Sequence, residues 1–501
     1  MPNPLFDALF APLATRDTPL LILPDGSAVT GRTFHALTAR TAHALRRAGL
    51  TKGDRLAAQI HKSPEALAVY AAATALGAIF LPLNTAYTPA ELDYFLSNAT
   101  PRVFLCDPAR AADLAPLATR HKATLLTLNG AQGTLSDATA TQPDDITPTD
   151  CTPHDLAAIL YTSGTTGRSK GAMLTHANLL SNARTLAGLW RFSADDTLLH
   201  ALPIFHTHGL FVATNIALLT GAKMIFLPGF DTDTVLRLLP QATALMGVPT
   251  FYTRLLDDSR FDAGLTAHMR LFISGSAPLL AETHSQFHAR TGHRILERYG
   301  MTETNMNTSN PYDGDRRAGT VGLPLPGVDL RIMADDAPVL PGQVGVIEVR
   351  GPNVFAGYWQ MPEKTAEDLR PDGWFITGDL GVQSADGYVT IVGRAKDLII
   401  TGGYNVYPKE VELLLDAVPG VQESAVIGLP HPDFGEAVFA VLTPHKGITL
   451  DADAVLAEVA PSLARFKQPK AAVVVPDLPR NTMGKVQKAL LRGQFAGRFA
   501  G

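Results

Sequence analysis

Cysteine is almost absent from this chain of 501 residues, which contains only Cys106 and Cys151. So few cysteines exclude a small fold that depends on several disulfide bonds, and they argue against a zinc cluster with cysteine ligands. The first residues also lack a basic segment followed by a long apolar one, so we expect no signal peptide. These absences favour an ordinary cytoplasmic protein.

A basic excess is missing as well. Asp and Glu total 47 and Lys and Arg total 42, which gives a formal net charge of −5. A general nucleic-acid binder needs the opposite balance, so we expect no nucleic-acid partner. Lysine itself is scarce, with 13 residues against 29 arginines. A lysine inside a glycine-rich motif is therefore a stronger indication of function here than it would be in a lysine-rich chain.

One long uncharged stretch, Ala66–Leu83, raises the question of a membrane span. Its 18 residues only reach the lower limit for a spanning helix. Before it, Ser63, Pro64 and Glu65 are typical of an N-cap and a first helical turn, and Gly77 fits a helix end. We therefore predict a buried helix followed by a short strand, and no membrane association.

Helix and strand signals alternate along most of the chain, which predicts an α/β fold with mostly parallel sheets covered by helices. Gly130–Asp150 has no periodicity and is predicted to be a loop. Short strands and turns at Val321–Val354 predict a small β-rich subdomain. A small α+β pattern follows, so we place a boundary near Arg394–Asp397, between an N-terminal domain, 1–394, and a C-terminal domain, 395–501.

The strongest chemical signal is the segment Tyr161–Gly171, with the sequence Tyr-Thr-Ser-Gly-Thr-Thr-Gly-Arg-Ser-Lys-Gly, which follows an apolar strand signal. Glycines let the backbone approach a phosphate, hydroxyl and N–H groups donate to its oxygens, and Lys170 supplies charge. The spacing is not that of a Walker A loop. We interpret the segment as a phosphate-binding loop, and the alternative is a polar surface turn.

Six further motifs follow in order, and the whole set resembles the adenylate-forming superfamily of acyl-CoA synthetases, luciferases and peptide-synthetase adenylation domains. The six motifs are Ala201–Gly209, Ser274–Pro278, Tyr299–Glu303, Thr377–Asp379, Gly393-Arg394 and Pro479–Lys485. The resemblance covers nearly the whole chain. It implies that a carboxylate attacks the α-phosphate of ATP in the presence of Mg²⁺, that pyrophosphate leaves, and that coenzyme A then takes the acyl group.

The resemblance assigns an ATP site whose cations and donors meet the charge that accumulates on the phosphoryl oxygens. The residues expected to bind ATP are Thr162, Ser163, Gly164, Thr165, Thr166, Gly167, Lys170, Gly275, Ser276, Ala277, Glu297, Arg298, Tyr299, Gly300, Thr302, Asp379, Arg394 and Lys485. Glu303 is expected to hold Mg²⁺ beside the catalytic Thr302, although a solvated acid is the alternative. Tyr299 is expected to stack on adenine, and Asp379 and Arg394 to hold the ribose.

Lys485 resembles the family's catalytic lysine, which bridges the reacting carboxylate and the α-phosphate; the alternative is a surface lysine. The same resemblance makes Lys485 a candidate target of a lysine acetyltransferase and deacetylase, because acetylation removes the charge. Lys396 matches the hinge about which the small domain rotates between an adenylation pose and a thioester-forming pose. An exposed loop charge is the alternative for Lys396. In the second pose Gly402-Gly403 should line the pantetheine tunnel.

Two arginines indicate the acid. Arg254 and Arg298 flank the region in which the family binds the acyl group, and an unpaired cation there does not suit a fatty acid. A dicarboxylic acid instead presents a second carboxylate, which a bidentate arginine recognises. The alternative is that these arginines form structural ion pairs with acids such as Glu297.

The segments Val248–Arg254 and Glu297–Thr304 also resemble the malonyl-CoA synthetases within the superfamily. The substrate residues that this resemblance implies are Arg254, Ser274 and Arg298 for the distal carboxylate, Thr207 and Met306 near C2, and His206 lining or gating the acyl pocket. The catalytic residues that it implies are Lys485, Glu303, Thr302 and His206. His206 and His208 by themselves are a poor zinc pair, because no third ligand is recognisable nearby.

Three functions stay open at this point. The first is an AMP-forming acid–thiol ligase that joins malonate to coenzyme A, with tolerance for methylmalonate undecided. The second is an adenylation enzyme for another short carboxylic or dicarboxylic acid, which delivers the acid to coenzyme A or to a carrier protein. The third is a nucleotide sensor without catalysis, and the intact Lys170, Glu303 and Lys485 argue against it.

Overall fold

The structure is a computed structural model that describes residues 2–162, 169–481 and 484–499. The strands are β1 (Pro19–Ile22), β2 (Ala28–Thr30), β3 (Arg55–Gln59), β4 (Ile79–Pro82), β5 (Val103–Cys106), β6 (Thr124–Thr127), β7 (Leu156–Thr162), β8 (Lys170–Thr175), β9 (Thr197–His200), β10 (Lys223–Phe226), β11 (Ala244–Gly247), β12 (Leu271–Ser274), β13 (Leu296–Met301), β14 (Asn305–Ser309), β15 (Leu323–Pro324), β16 (Asp329–Ala334), β17 (Ala337–Pro338), β18 (Gly345–Arg350), β19 (Phe375–Gln383), β20 (Val389–Arg394), β21 (Ile399–Thr401), β22 (Tyr404–Val406), β23 (Val421–His431), β24 (Gly435–Pro444) and β25 (Ala471–Val474).

The α-helices lie between these strands and at both ends of the chain. They are α1 (Pro4–Leu9), α2 (Gly31–Arg47), α3 (Pro64–Leu76), α4 (Pro89–Ala99), α5 (Ala111–Arg120), α6 (Thr134–Thr139), α7 (His176–Leu189), α8 (Asn215–Thr220), α9 (Thr232–Leu238), α10 (Pro249–Leu256), α11 (Ala263–Thr266), α12 (Ala281–Thr291), α13 (Pro362–Asp368), α14 (Pro408–Asp416), α15 (Ala452–Val459) and α16 (Lys488–Phe495).

The chain forms two compact units. The first consists of Met1–Asp329 and Val349–Phe375, and the second of Leu330–Glu348 and Ile376–Gly501. The second unit thus includes strands that precede residue 394 as well as the C-terminal region. The predicted domains, 1–394 and 395–501, were placed from the change to an α+β sequence pattern near residue 394, and that division stays a prediction.

Two large sheets organise the first unit. One has nine strands in the order β15-β14-β13-β12-β11-β9-β10-β1-β2, and all its pairs from β13 to β1 are parallel. The other has six strands in the order β6-β5-β3-β4-β7-β8, and only its β7–β8 pair is antiparallel. Parallel neighbours need long crossover connections, which the helices provide. The prediction of a parallel-rich α/β fold is confirmed.

The uncharged stretch near residue 70 forms α3 and β4, as predicted. The Ser63 Oγ accepts a hydrogen bond from the Ala66 N–H at 3.1 Å, and Gly77 ends the helix with a φ of +64°. Such a left-handed C-cap favours glycine. Every residue from Ala66 to Leu76 is buried. Among the described residues, no helix has both the length and the apolar character needed to cross a membrane.

One element was missed at Gly130–Asp150, which the sequence predicted to be a loop. A short helix, α6, lies within it and buries Leu135. The helix has only six residues and is rich in Thr, Ser and Asp, so it shows no apolar periodicity. A single buried leucine carries too little signal to identify a helix of this length from sequence.

Two smaller sheets organise the second unit. One has the order β17-β16-β18-β19-β20 and contains the β-rich region that was predicted around residue 340. The other has the order β22-β21-β24-β23, with β25 parallel to β24. Helix α14 buries Val411 and Leu415 in a cluster with Val426 and Val438 of the sheet. The predicted α+β character of the C-terminal region is therefore confirmed.

Candidate active site

The polar residues of the candidate site lie where parallel strands of the nine-stranded sheet end. Gly247 of β11 pairs with Ser274 of β12, and Ser274 pairs with Glu297 of β13. Arg298 follows Glu297, and the loop 275–277 follows β12. Open parallel sheets bind their ligands at the carboxyl ends of their strands, so these residues occupy the expected edge.

Arg298 is the most unusual residue at this edge, because it is a cation that is only 3% exposed. Its guanidinium lies so close to Gly275 that a Cβ at that position would be 2.3 Å from Cζ. Its Nε and Nη2 have no hydrogen-bond partner among the described residues. Burial lowers the pKa of Arg298, but a guanidinium stays protonated at neutral pH. Two nitrogens with unused N–H groups on a buried cation suit a carboxylate.

Further buried polar atoms around Arg298 also lack partners within the described part of the chain. They are Ser274 Oγ, Thr207 Oγ1 and His208 Nε2. Ser274 directly precedes Gly275, against which the Arg298 guanidinium packs. The charge of Arg298 contributes to the lowered pKa of both His206 and His208, the residues on either side of Thr207. Buried polar groups normally have partners, because leaving them unpaired costs free energy. A bound polar anion would satisfy this set.

His206 and His208 lie where a turn passes into a π-helical segment, His208–Thr214, and not on a strand. The backbone N–H of His208 donates to His206 Nδ1 at 3.3 Å, and His208 Nδ1 lies 3.2 Å from Ser276 Oγ. Burial and then the charge of Arg298 lower the pKa of His206 to about 4, so its ring is neutral at pH 7. No group of three His, Cys, Asp or Glu suited to a metal occurs in the described ranges.

Met306 and Arg254 occupy contrasting environments. Met306 is 2% exposed, and its backbone exchanges hydrogen bonds with the side chain of Asn182. Arg254 is exposed on α10, whereas its neighbour Phe251 on the same helix is buried. The structure therefore buries Met306 but leaves Arg254 in solvent. The assignment of Arg254 to the distal carboxylate stays a prediction.

Glu297 and Ser276 shape the loop that follows β12. Glu297 is 6% exposed, and its Oε1 accepts a hydrogen bond from the Leu279 N–H at 3.4 Å. Ser276 has a φ of +72°, an uncommon conformation for a residue with a side chain. Glu297 thus supports the loop that contains Gly275, Ser276 and Ala277.

Glu303 belongs to a buried polar network. Tyr358 donates its hydroxyl to Glu303 Oε1 at 3.1 Å, and Lys170 Nζ donates to the same hydroxyl at 3.2 Å. Lys170 also pairs with Asp368 at 3.4 Å. Tyr358 therefore links the predicted phosphate lysine to the predicted metal carboxylate. One carboxylate completed by phosphate oxygens is a donor set that Mg²⁺ uses, so Glu303 fits this ion.

Tyr299, Gly300 and Thr302 lie at the junction of β13 with β14, next to Glu303, and all three are half-buried. A Cβ on Gly300 would be 1.9 Å from the carbonyl oxygen of Asn305, so only glycine fits. This close approach lets the two strands turn tightly. The adenine and catalytic roles of Tyr299 and Thr302 stay predictions.

Tyr358→Phe is expected to raise the Mg²⁺ concentration for half-maximal activity roughly tenfold, the lower end of what lost outer-shell partners cost metal sites. The variant keeps the ring but removes the hydroxyl that orients Glu303. The measurement is pyrophosphate release against Mg²⁺ concentration. Tyr312→Phe, which alters a ring held by arginines elsewhere, is the control. An unchanged Mg²⁺ requirement in Tyr358→Phe would show that the hydroxyl does not orient the carboxylate.

Only the two ends of the predicted phosphate loop are described. The predicted loop residues outside the described part of the chain are Ser163, Gly164, Thr165, Thr166, Gly167 and Arg168. Thr162 of β7 pairs with Lys170 of β8, and the Thr162 Oγ1 donates to the Lys170 carbonyl at 3.4 Å. This pairing holds the two ends together.

The second unit brings together Asp379, Arg394 and Lys485. Asp379 and Arg394 face each other on β19 and β20, with Oδ1 and Nε 2.6 Å apart. The Lys485 N–H donates to Asn481 Oδ1 at 3.0 Å. Desolvation and then the charge of Arg394 lower the pKa of Lys485 to about 8. Because the residue is exposed, water screens part of this effect.

Lys396 lies exposed in a short 3-10 turn, Ala395–Asp397. Desolvation lowers the pKa of Lys396, with a smaller opposing contribution from Asp397. Asp397 pairs with Arg492 of α16 at 2.8 Å, so the turn is tied to the helix that follows Lys485. The role of Lys396 as a hinge stays a prediction.

Residues 11–359 match the AMP-binding enzyme family, and residues 410–485 match the C-terminal domain of AMP-binding enzymes. The chain therefore belongs to the AMP-binding enzyme family, which confirms the resemblance seen in the motifs. ATP-bound MatB from Rhodopseudomonas palustris is 55% identical over 100% of both chains, with a TM-score of 0.97. The mitochondrial malonate–CoA ligase of Bos taurus is 37% identical, over 82% of this chain and 76% of its own. A feruloyl-CoA synthase from Amycolatopsis is 37% identical over 94% of each chain.

Sequence reasoning missed two residues of these networks. Tyr358 lies far from Glu303 and Lys170 in sequence, and no local motif marked it. His208 was considered only as a metal ligand, although its Nδ1 lies near Ser276 and its Nε2 has no described partner. The pairing of two histidines around one threonine was the available signal, but the pair alone does not identify a ligand.

Proposed function

We propose that the protein ligates malonate to coenzyme A. The acid first reacts with ATP to give malonyl-adenylate and pyrophosphate, and the thiol of coenzyme A then displaces AMP. The observation that carries this proposal is the buried Arg298, whose Nε and Nη2 have no described partner, together with the unpartnered hydroxyls of Ser274 and Thr207 on the neighbouring segments. Malonate has a second carboxylate, which would accept hydrogen bonds from this set.

The relatives named above include ligases for different acids. Malonate–CoA ligase and feruloyl-CoA synthase are equally identical to this chain, so overall identity does not choose between their acids. A feruloyl group is uncharged beyond its reacting carboxylate, and it would leave Arg298 buried without an anion. Such a cation is costly, so the environment of Arg298 favours a dicarboxylic acid. Another short dicarboxylic acid, or transfer to a carrier protein, is the second candidate.

In the proposed adenylation step, this chain supplies charge and positioning. Arg298 and Ser274 hold the distal carboxylate of malonate, and His206, neutral at pH 7, lines the acyl site. Lys170 and the phosphate loop bind the β- and γ-phosphates. Mg²⁺ held at Glu303 would neutralise phosphate charge when bound. Electrostatic stabilisation of this kind is the main catalytic device in phosphoryl chemistry.

The second unit is proposed to contribute the ribose and lysine contacts. Asp379 and Arg394 hold the ribose hydroxyls, and Lys485 offers its ammonium to the reacting carboxylate and the α-phosphate. We propose that residues 395–501 rotate about Lys396 after adenylation, so that Gly402-Gly403 line the path of the pantetheine arm. Acetylation of Lys485 by a lysine acetyltransferase would remove the charge and stop the first step. A cytoplasmic location belongs to the same proposal.

Malonate is expected to give the fastest pyrophosphate release among malonate, methylmalonate, succinate, acetate, octanoate and ferulate. Mass detection of the thioester, with coenzyme A present or omitted, identifies the acceptor. Malonyl-CoA formation at a rate that matches pyrophosphate release supports the ligase. Faster release with ferulate or octanoate would contradict the malonate assignment. Release that yields no thioester with coenzyme A would favour a carrier protein.

A further inference from the structure

Lys62 is a half-buried lysine to which the function described above gives no role. It lies between β3 and Ser63, the N-cap of α3, and its ammonium reaches the end of β9 in the other large sheet. No carboxylate pairs with it among the described residues, and burial lowers its pKa well below the ordinary lysine value. A charge that is removed from water without a counter-ion is costly, so hydrogen-bond acceptors must stabilise the ammonium.

All three donors of the Lys62 ammonium have acceptors. Nζ donates to His200 Nδ1 at 2.8 Å, to the His200 carbonyl at 2.7 Å and to the Leu202 carbonyl at 2.9 Å. The ring of Phe226 lies 4.3 Å from Nζ, a distance at which an aromatic face attracts a cation. Three acceptors around Nζ match the protonated amine, which has three N–H groups and no acceptor.

His200 links Lys62 to Gly209, at the other end of the segment that follows β9. Because its Nδ1 accepts from Lys62, the proton of its neutral ring lies on Nε2. Nε2 is 2.9 Å from the Gly209 carbonyl and 3.0 Å from Thr214 Oγ1. Thr214 Oγ1 also donates to the Gly209 carbonyl at 2.9 Å. Lys62 therefore reaches Leu202 directly and Gly209 through His200.

The segment between these two anchors, 203–208, contains His206, Thr207 and His208. It is folded tightly, since a Cβ on Gly209 would be 2.0 Å from the carbonyl oxygen of Pro203. The Thr207 hydroxyl and the His208 Nε2 are among the unpartnered atoms near Arg298. A shift of the anchors would move these groups relative to the arginine.

We propose that Lys62 is a positioning residue for the acid substrate, which fixes segment 203–208 at both ends so that Thr207 and His208 meet the acid held by Arg298. The proposal rests on the proposed function for the identity of the acid. Because the Lys62 ammonium contacts His200 and Leu202, it would act on the acid through the placement of segment 203–208. Small misplacements of such groups have large kinetic effects, with about 1 Å costing on the order of 100-fold.

The test is Lys62→Met in the full-length enzyme, which keeps an unbranched side chain and removes every donor. We expect kcat/KM for malonate to fall roughly 10- to 100-fold, while KM for ATP changes less than about twofold. Hydrogen exchange should rise in peptides that cover 202–209. Lys52→Met is the matched control, because Lys52 also donates to a carbonyl, that of Asp150, but lies exposed elsewhere. It should change neither readout.

Wild-type kinetics separate the two proposals. If the wild type does not activate malonate, the proposed function fails, and the same comparison is made with the acid that it does activate. A folded Lys62→Met enzyme with wild-type acid kinetics and wild-type exchange at 202–209 would overturn the positioning role. If Lys62→Met does not fold, Lys62→Gln is used, which buries no charge and keeps two donors. It should show a smaller loss of the same pattern, and wild-type behaviour would equally overturn the proposal.

Discussion

Arg298→Ala is expected to lower kcat/KM for malonate by roughly two to three orders of magnitude. Removing one partner of a buried ion pair costs about 3–5 kcal/mol, and each 1.4 kcal/mol corresponds to about tenfold. Acetate has no second carboxylate, so its slow reaction should fall far less, or rise as the unpaired cation disappears. The measurement is the ratio of kcat/KM for malonate to that for acetate, which cancels general damage to folding or ATP binding.

Arg294→Ala is the matched control for this experiment. Arg294 precedes the same strand, β13, but is exposed and pairs with Asp315 at the surface, 3.5 Å away. It should leave the malonate-to-acetate ratio unchanged. Arg254→Ala, measured beside it, tests whether the exposed arginine joins Arg298 once malonate binds. An equal loss for malonate and acetate in Arg298→Ala would mean that the arginine supports the nucleotide site or the fold, against a dicarboxylate substrate.

Lys485→Ala is expected to lower malonyl-adenylate formation by about two to three orders of magnitude, the usual cost of removing one group that stabilises transition-state charge. The same variant should still convert supplied malonyl-adenylate and coenzyme A to malonyl-CoA at close to the wild-type rate. The physical reason is that charge on the α-phosphate develops in the first half-reaction. Separate assays of pyrophosphate release and thioester formation measure the two halves.

Lys470→Ala is the control for Lys485→Ala, since Lys470 is another exposed lysine of the second unit, and its ammonium lies over the ring of Phe434. It should leave both half-reactions intact. A loss of the same size in both halves for Lys485→Ala would show that Lys485 acts in both steps or supports the fold. Adenylation in the wild type should also decline as the pH rises through the pKa of Lys485, because the ammonium then loses its charge. Since water screens part of the shift at this exposed residue, the decline should lie above about pH 8 and below the ordinary titration range of lysine.

The sequence was informative wherever chemistry depends on neighbouring residues. The cap at Ser63 and the stop at Gly77 were readable because a helix end is decided within a few residues. The seven motifs were readable because phosphate binding needs glycine, hydroxyl and lysine in one short segment. These local patterns determined the α/β class, the family and the order of the ATP motifs along the chain.

Only the tertiary structure distinguished Arg298 from Arg254. Both arginines flank similar motifs, yet one is buried against Gly275 and the other is in solvent on α10. Burial depends on which strands and helices become neighbours, and β11, β12 and β13 meet only after the sheet has formed. No spacing along the chain encodes that adjacency.

The hydrogen bonds of Tyr358 and Lys62 also depend on the tertiary structure and not on local sequence. Tyr358 meets Glu303 and Lys170, and Lys62 meets His200, across separations of 55 to 188 residues. The sequence by itself thus determined which chemical groups the protein carries and what kind of reaction they serve. The tertiary structure decided which of these groups are buried, which are paired and which stand unpaired, because desolvation and hydrogen bonding act through space between residues that the chain keeps apart.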